Sequence, residues 1–301
     1  MIKATNTQNG KAFEYALAQA FSKGTNAEIV ASDAVRVAHT CYEGLAKDHQ
    51  QLMTLASEEA SLFLLAHDAR IQLARSIIIQ NDGLGIIGDV RDIIITVPGG
   101  GVGISAKHNH SAVKHSRLSN TIDFGKEWAD YPCSSAYFKA IRPIFNELRE
   151  MQTQEMFFRD IQSKESRIYL PVLIAFEDEL KRLCESFHGL FVSRLFRYLL
   201  GRHDFYKVIL TTAKRFRNVS VQSVNLEGTL AYGQKWKVPD RIIAVNRKRG
   251  STNTIEVSFN DGWTISFRIH NASSRVEPSL KFDIQFVGMS SKVATHQISL
   301  V

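Results

Sequence analysis

Apolar residues recur at helical spacing through the first part of the chain. Within residues 11–23, Phe13, Ala16, Leu17, Ala20 and Phe21 fall on one face of a 3.6-residue period, which predicts an amphipathic helix. A second helical run is expected over 52–79, with Ser57 as N-cap for 58–75, and neither run is interrupted by Pro or Gly. At Gly83 the pattern changes. A glycine-rich stretch and Asp89-Val90-Arg91-Asp92 lead into the β-branched run Ile93-Ile94-Ile95-Thr96-Val97, a Pro98-Gly99-Gly100-Gly101 turn, and Val102-Gly103-Ile104-Ser105-Ala106-Lys107. That order predicts a β-hairpin. Residues 120–200 return to helical spacing, with a boundary at Leu170-Pro171 and an amphipathic helix over 174–198. The last hundred residues are β-patterned: a hairpin from 253–259 and 263–270 around Asn260-Asp261-Gly262, then alternation over 282–287.

The fold class expected is therefore mixed α/β (α+β). No repeat, low-complexity tract or Gly/Ser/Pro linker separates the parts, so domains would meet at packed junctions. Three segments are expected: 1–150, a helical start with a catalytic core; 151–200, helical; and 201–301, basic and β-rich. With 301 residues and 44% hydrophobic composition, the chain has material for a substantial core. No apolar run approaches the roughly 18 residues that a membrane span needs, and no apolar leader is visible at the N-terminus. Three scattered cysteines, Cys41, Cys133 and Cys184, have no metal spacing, as expected of a reduced, cytoplasmic protein.

Charge adds direction. The net formal charge is +7, but residues 1–90 hold seven Lys/Arg against ten Asp/Glu, whereas 201–250 hold eleven against three. Such a concentrated basic segment is what phosphate neutralisation requires, and it is also compatible with an ordinary solvated surface.

Several chemical patterns fail on context. Gly83, Gly85 and Gly88 spell a dinucleotide fingerprint, but a strand follows where that site needs a helix N-terminus. Gly99 to Gly103 lack the Gly-Lys-Ser/Thr of a phosphate-binding loop, and His108-Asn109-His110 matches a nuclease name only in its letters. Pro132-Cys133 has no methyltransferase context. One constellation remains. Asp92 opens one strand and Lys107 closes the next, with fourteen residues between them, so a paired hairpin brings both to one end of the sheet. A carboxylate there can hold Mg²⁺, and an ammonium beside it can orient the attacking water and steady charge on phosphorus. Glu14 on the first helix and the Ala106 carbonyl are candidates to complete the shell. On spacing alone, a turn-forming Asp and a solvated Lys are the commoner reading, because such pairs are frequent.

The surrounding sequence narrows this. Asp92, the hairpin and Lys107 resemble the PD-(D/E)xK nuclease superfamily. Gly88 to Ile94, Ile104 to Ser119, Asp123-Phe124-Gly125-Lys126 and Gly262 to Asp283 resemble, in order, the HaeIII family of type II restriction endonucleases. The resemblance implies a mixed central sheet flanked by helices with additional C-terminal β-hairpins. It also implies a Mg²⁺-dependent homodimer that cuts both strands of palindromic GGCC duplex DNA in the middle, leaving blunt 5′-phosphate and 3′-hydroxyl ends. Such an enzyme serves a restriction-modification system whose methyltransferase acts on the same site. By motif, Asp92 is the metal-binding acid and Lys107 the catalytic lysine. Ser105 stands where the superfamily usually has a second acid, which leaves Glu14 as the expected second ligand and Asp89 as the reserve. Asp89 would become the principal acid if its strand began three residues earlier.

Guanine O6 and N7 call for Arg or Lys, and cytosine N4 for an acceptor. Arg268, His270, Asn271, Arg275 and Lys281 form one candidate DNA-binding cluster, and His108, His110, Lys114, His115 and Arg117 another. Phosphate positioning is the alternative role for each of them. Basic residues at 201–250 are expected to track the DNA backbone. The competing function is a sequence-specific DNA-binding protein with an inactive centre, for which Ser105 is the sequence support.

Overall fold

The chain is described by a computed structural model that covers residues 5–81, 89–109, 112–213 and 216–300, with the backbone alone for 112–114. The fingerprint glycines Gly83, Gly85 and Gly88, and also His110, lie outside the described residues.

Among the described residues, the elements in chain order begin with α1 (Asn6–Thr25), β1 (Glu28–Ile29), α2 (Asp33–Glu43), α3 (Lys47–His67), β2 (Ser76–Ile79), β3 (Ile93–Val97) and β4 (Gly100–His108). They continue with β5 (Ala112–Leu118), α4 (Phe124–Ala129), α5 (Ser135–Thr153), α6 (Leu170–Leu200), β6 (Phe205–Thr212) and β7 (Arg217–Val224). β8 (Ile242–Arg247), β9 (Thr254–Phe259), β10 (Thr264–Asn271), β11 (Leu280–Gly288) and β12 (Thr295–Ser299) complete the chain. The mixed α/β class is as expected. Two compact units share these elements: Met1–Ser111 with Gly201–Lys237 and Ser291–Val301, and Ala112–Leu200 with Val238–Ser290. The expected segments 1–150 and 201–301 thus each contribute to both units.

The first unit is built on a mixed seven-stranded sheet of order β1-β2-β3-β4-β6-β7-β12. Thr5 starts α1 with a capping box to Gln8, which satisfies two backbone donors at the helix end. Phe13, Leu17 and Phe21 of α1 and Met53, Ala56, Ala60 and Leu64 of α3 share one core with Ile77, Ile93, Ile95 and Ile104 from the sheet. The predicted hairpin is present: β3 and β4 pair antiparallel from Ile93 opposite Ile104 to Val97 opposite Gly100. Pro98 and Gly99 turn the chain, and the positive φ of Gly99 (83°) is the conformation that favours glycine there.

The expected helix over 52–79 is corrected. α3 begins at Lys47 and ends at His67, and Ser57 is buried in mid-helix, where it caps nothing. The isoleucines at 77–79 instead form β2 and pair with β3, because β-branched side chains suit a pleated, buried surface.

The second unit carries an antiparallel sheet of order β5-β11-β10-β9-β8. The C-terminal hairpin expected from the sequence is β9 and β10, turned at Asp261 and Gly262, both of positive φ. α6 packs on this sheet through aromatic contacts: Phe176 lies 4.8 Å from Phe282, and Phe196 lies 5.2 Å from Trp263, ring centre to ring centre. Burying each such ring contributes about 2–3 kcal/mol. The helix extends beyond the predicted 174–198, starts with Pro171 in its first turn, and is interrupted at His188 (φ 46°).

Candidate active site

Asp92 is fixed by backbone before its side chain acts. Its N–H donates to the Ile104 carbonyl at 2.8 Å, and its own carbonyl accepts from the Gln80 N–H at 2.9 Å. The carboxylate then meets β4. Oδ2 accepts from Ser105 Oγ at 3.0 Å, the Ala106 N–H at 2.7 Å and Lys107 Nζ at 3.0 Å. Ser105 and Lys107 share a face because strand side chains alternate with period two. The hairpin register therefore delivers hydroxyl and ammonium to the same oxygen. Charge-assisted bonds of this kind are about twice as strong as neutral ones, so the carboxylate is held in one orientation.

Glu14 reaches this centre from α1. It is only 6% exposed and pairs with Lys11 Nζ at 2.9 Å. Burial, and then the negative charge of Asp92, push its carboxyl up to about 7, against the pull of Lys11 and Lys107. Glu14 is thus a buried carboxyl close enough to the Asp92 charge for its own ionisation to be disfavoured, an arrangement that a bound cation relieves. Among the described residues no cluster of three or more His, Cys, Asp or Glu is placed to hold a metal. The donor set is two carboxylates, which fits Mg²⁺, because that ion keeps waters and takes phosphate oxygens alongside few protein ligands.

Asp89 is engaged elsewhere. β3 begins at Ile93, and both Asp89 oxygens receive the Arg91 guanidinium, at 2.8 and 2.7 Å. Burial works to raise the Asp89 carboxyl, but these bonds hold it below its ordinary range. The Arg91 stem then passes over Gly103, where an added Cβ would stand 2.2 Å from Arg91 Cδ.

Sequence reading missed Lys207. It lies on β6, which runs parallel to β4 with Lys207 in register with Ser105. It is 5% exposed, and burial together with the charge of Lys107 pushes its ammonium down to about 8, while Asp92 pulls upward. The signal available in the sequence was a single lysine inside the apolar strand Phe205-Tyr206-Lys207-Val208-Ile209-Leu210.

His108 follows Lys107 on β4, half-buried, with its ring edge-on to His49 at 5.6 Å. Burial and His49 hold its pKa below the ordinary histidine value.

In the second unit, strand register gathers most of the remaining candidates on one sheet face. Arg268, Asp283 and His115 form one row across β10, β11 and β5, and His270, Lys281 and Arg117 form the next. The opposite face buries Phe267, Ile269, Phe282 and Ile284. Arg268 reaches Asp283 at 3.3 Å, and Arg117 is held by Glu277 at 3.0 Å and Ser279 at 2.9 Å. His270 Nδ1 lies 2.8 Å from the Asn271 carbonyl, and burial keeps its pKa low. Arg275 sits beyond the strand, over the Phe157 ring at 5.2 Å. Asn271 turns its amide to the Ser273 carbonyl. Lys114 is in register with Ile284 on the backbone.

The sequence model of the HaeIII restriction endonuclease family matches residues 10–290. The type II restriction enzyme HaeIII of Haemophilus aegyptius is 34% identical over 307 residues, which cover 96% of each chain. No solved structure matches the chain.

Proposed function

Because the chain belongs to the HaeIII restriction endonuclease family and is thereby a type II restriction endonuclease, a hydrolase acting on DNA, we propose that it cuts both strands of GGCC duplex DNA in the middle of the site, with Mg²⁺, as a homodimer. The observation that carries the reading is the convergence of Ser105, Ala106 and Lys107 on one oxygen of Asp92, with buried Glu14 beside it.

Asp92 and Glu14 are the residues to hold Mg²⁺, which when bound supplies Lewis-acid polarisation of the scissile phosphate. Lys107 orients the attacking water and steadies the growing negative charge on phosphorus. A water oxygen–phosphorus bond forms and the phosphorus–O3′ bond breaks, with a solvent proton passing to the leaving oxygen, which gives 5′-phosphate and 3′-hydroxyl ends. Ser105 fixes the Asp92 carboxylate where a second acid would otherwise stand. The face carrying Arg268, His270, Lys281, His115 and Arg117 is proposed to meet DNA: Arg and Lys suit guanine O6/N7 or phosphate, and Asp283 supplies an acceptor. The partner methyltransferase of the system would protect the same sequence.

A duplex oligonucleotide with one GGCC tests the site. Wild type in Mg²⁺ should cleave it, and Asp92→Ala and Lys107→Met should slow cleavage by about 10³-fold or more while keeping binding in Ca²⁺. Ser105, in place of an acid, favours the second reading, a specific binder with an inactive centre. Binding without cleavage in both Mg²⁺ and Mn²⁺ would select it.

A further inference from the structure

We propose that Gln285 is a specificity-determining residue, whose Oε1 accepts a hydrogen bond from a cytosine N4 amine while Arg268 meets the guanine paired with that cytosine. The inference rests on the GGCC reading above and deepens it by naming the group that presents an acceptor to DNA. β11 places Gln285 two residues after Asp283 and opposite Ser266 of β10. It therefore stands on the sheet face that carries Arg268, Asp283, His270 and Lys281, away from buried Ile284.

Asp283 itself is only 4% exposed. Its Oδ1 is buried, with no hydrogen-bond partner among the described residues and His115 Nδ1 3.7 Å away. A base edge cannot reach an oxygen so enclosed. What Asp283 does is hold two neighbours, since its Oδ2 accepts from Arg268 Nη2 at 3.3 Å and from Gln285 Nε2 at 3.1 Å. The carboxylate beside the Arg268 guanidinium takes the NH₂ end of the glutamine, so the amide is oriented. Nε2 is engaged, and Oε1, a pure acceptor, is the end left for a ligand.

That pair of groups matches a G·C base pair. In the major groove guanine presents O6 and N7 as acceptors, and its cytosine partner presents the N4 amine as a donor. Arg268, with a side chain 56% exposed, keeps its remaining N–H donors for the guanine. Both bonded nitrogens lie within 3.3 Å of one oxygen, so donor and acceptor are held side by side. An unanchored glutamine could turn its amide over and bond thymine O4 equally well. Anchoring at Asp283 removes that freedom, and thymine then sets an acceptor against an acceptor and leaves both unsatisfied.

The test measures binding in Ca²⁺ by wild type, Gln285→Met and Gln285→Lys, with melting temperatures alongside. The duplexes carry GGCC, GGCC with each cytosine in turn replaced by 2-pyrimidinone, which lacks only the N4 amine, or GGCC with that replacement outside the site. In wild type the replacement at one of the two cytosine positions should weaken binding about 10-fold, and outside the site it should have no effect. Gln285→Met should bind natural GGCC about 10-fold more weakly and be indifferent to the same replacement. Gln285→Lys can still donate to Asp283 but offers no acceptor, so it should share that indifference, which separates loss of the acceptor from loss of the Asp283 contact. Tolerance of the replacement at both positions by wild type overturns the assignment, as does a variant that folds and loses affinity on it as wild type does. If wild type shows no preference for GGCC over a scrambled duplex, the GGCC reading fails first and this inference falls with it.

Discussion

Glu14 sets the charge state of the centre. Its carboxyl is raised from 4.5 to about 7 by burial and by Asp92. A folded-state pKa above the unfolded one gives stability that is fully present below the unfolded value and is lost as pH rises through the folded value. The metal-free protein should therefore lose melting temperature between about pH 4.5 and about pH 7, and Glu14→Gln should flatten that dependence. Mg²⁺ requires the carboxylate, so its apparent affinity should rise over the same interval, and isothermal titration across it checks this. An unchanged slope in Glu14→Gln would show that another group governs it. Asp68 tests a purely structural network: it accepts from Arg70 Nε at 2.8 Å, from the Tyr206 hydroxyl at 2.9 Å and from the Ala231 N–H at 3.4 Å. Asp68→Ala strands these donors and should cost about 3–5 kcal/mol in urea unfolding. Asp92, Ser105 and Lys107 were legible from the sequence because a hairpin makes spacing equivalent to proximity. Lys207 was not, since it arrives through a parallel pairing that no local pattern encodes.

At the scale of elements, the step into β3 depends on a glycine. Arg91 crosses Gly103 to remain bound to Asp89, next in line to Asp92, and Phe205 Cβ closes the other side at 3.2 Å from an added Cβ. Gly103→Ala should displace Arg91, cost about 1–3 kcal/mol and reduce cleavage more than duplex binding. Chemical denaturation together with cleavage kinetics would read both effects, and wild-type values in both would contradict this role for the crossing. The two hairpins were readable because glycine turns bounded short alternating runs. The span 52–79 was misread because its apolar periodicity continues past His67, and only pairing with β3 identifies Ile77, Ile78 and Ile79 as a strand. β6 and β7 form where the sequence showed chiefly basic charge, and Tyr206, Val208, Leu210, Val219 and Val221 on these strands are core residues.

At the scale of the whole molecule, the chain distributes chemistry and candidate recognition over two units, each with its own sheet. The basic segment that first suggested nucleic acid is divided between them. The five-stranded sheet brings Lys281 between His270 and Arg117, two candidate clusters separated by about 150 positions in sequence. Lys281→Ala should weaken GGCC binding by about 1–3 kcal/mol, with altered preference among one-base variants if it reads guanine and a uniform loss if it holds phosphate. Competition binding with those variants separates the two, and unchanged affinity would remove this face from the interface. The most direct test of the central claim is end-sequencing of plasmid DNA digested with wild type, Asp92→Ala and Lys107→Ala in Mg²⁺. Blunt ends that all divide GGCC at its middle, made by wild type and by neither variant, are the predicted result; ends at another sequence, or the same ends from Lys107→Ala at full rate, would contradict it.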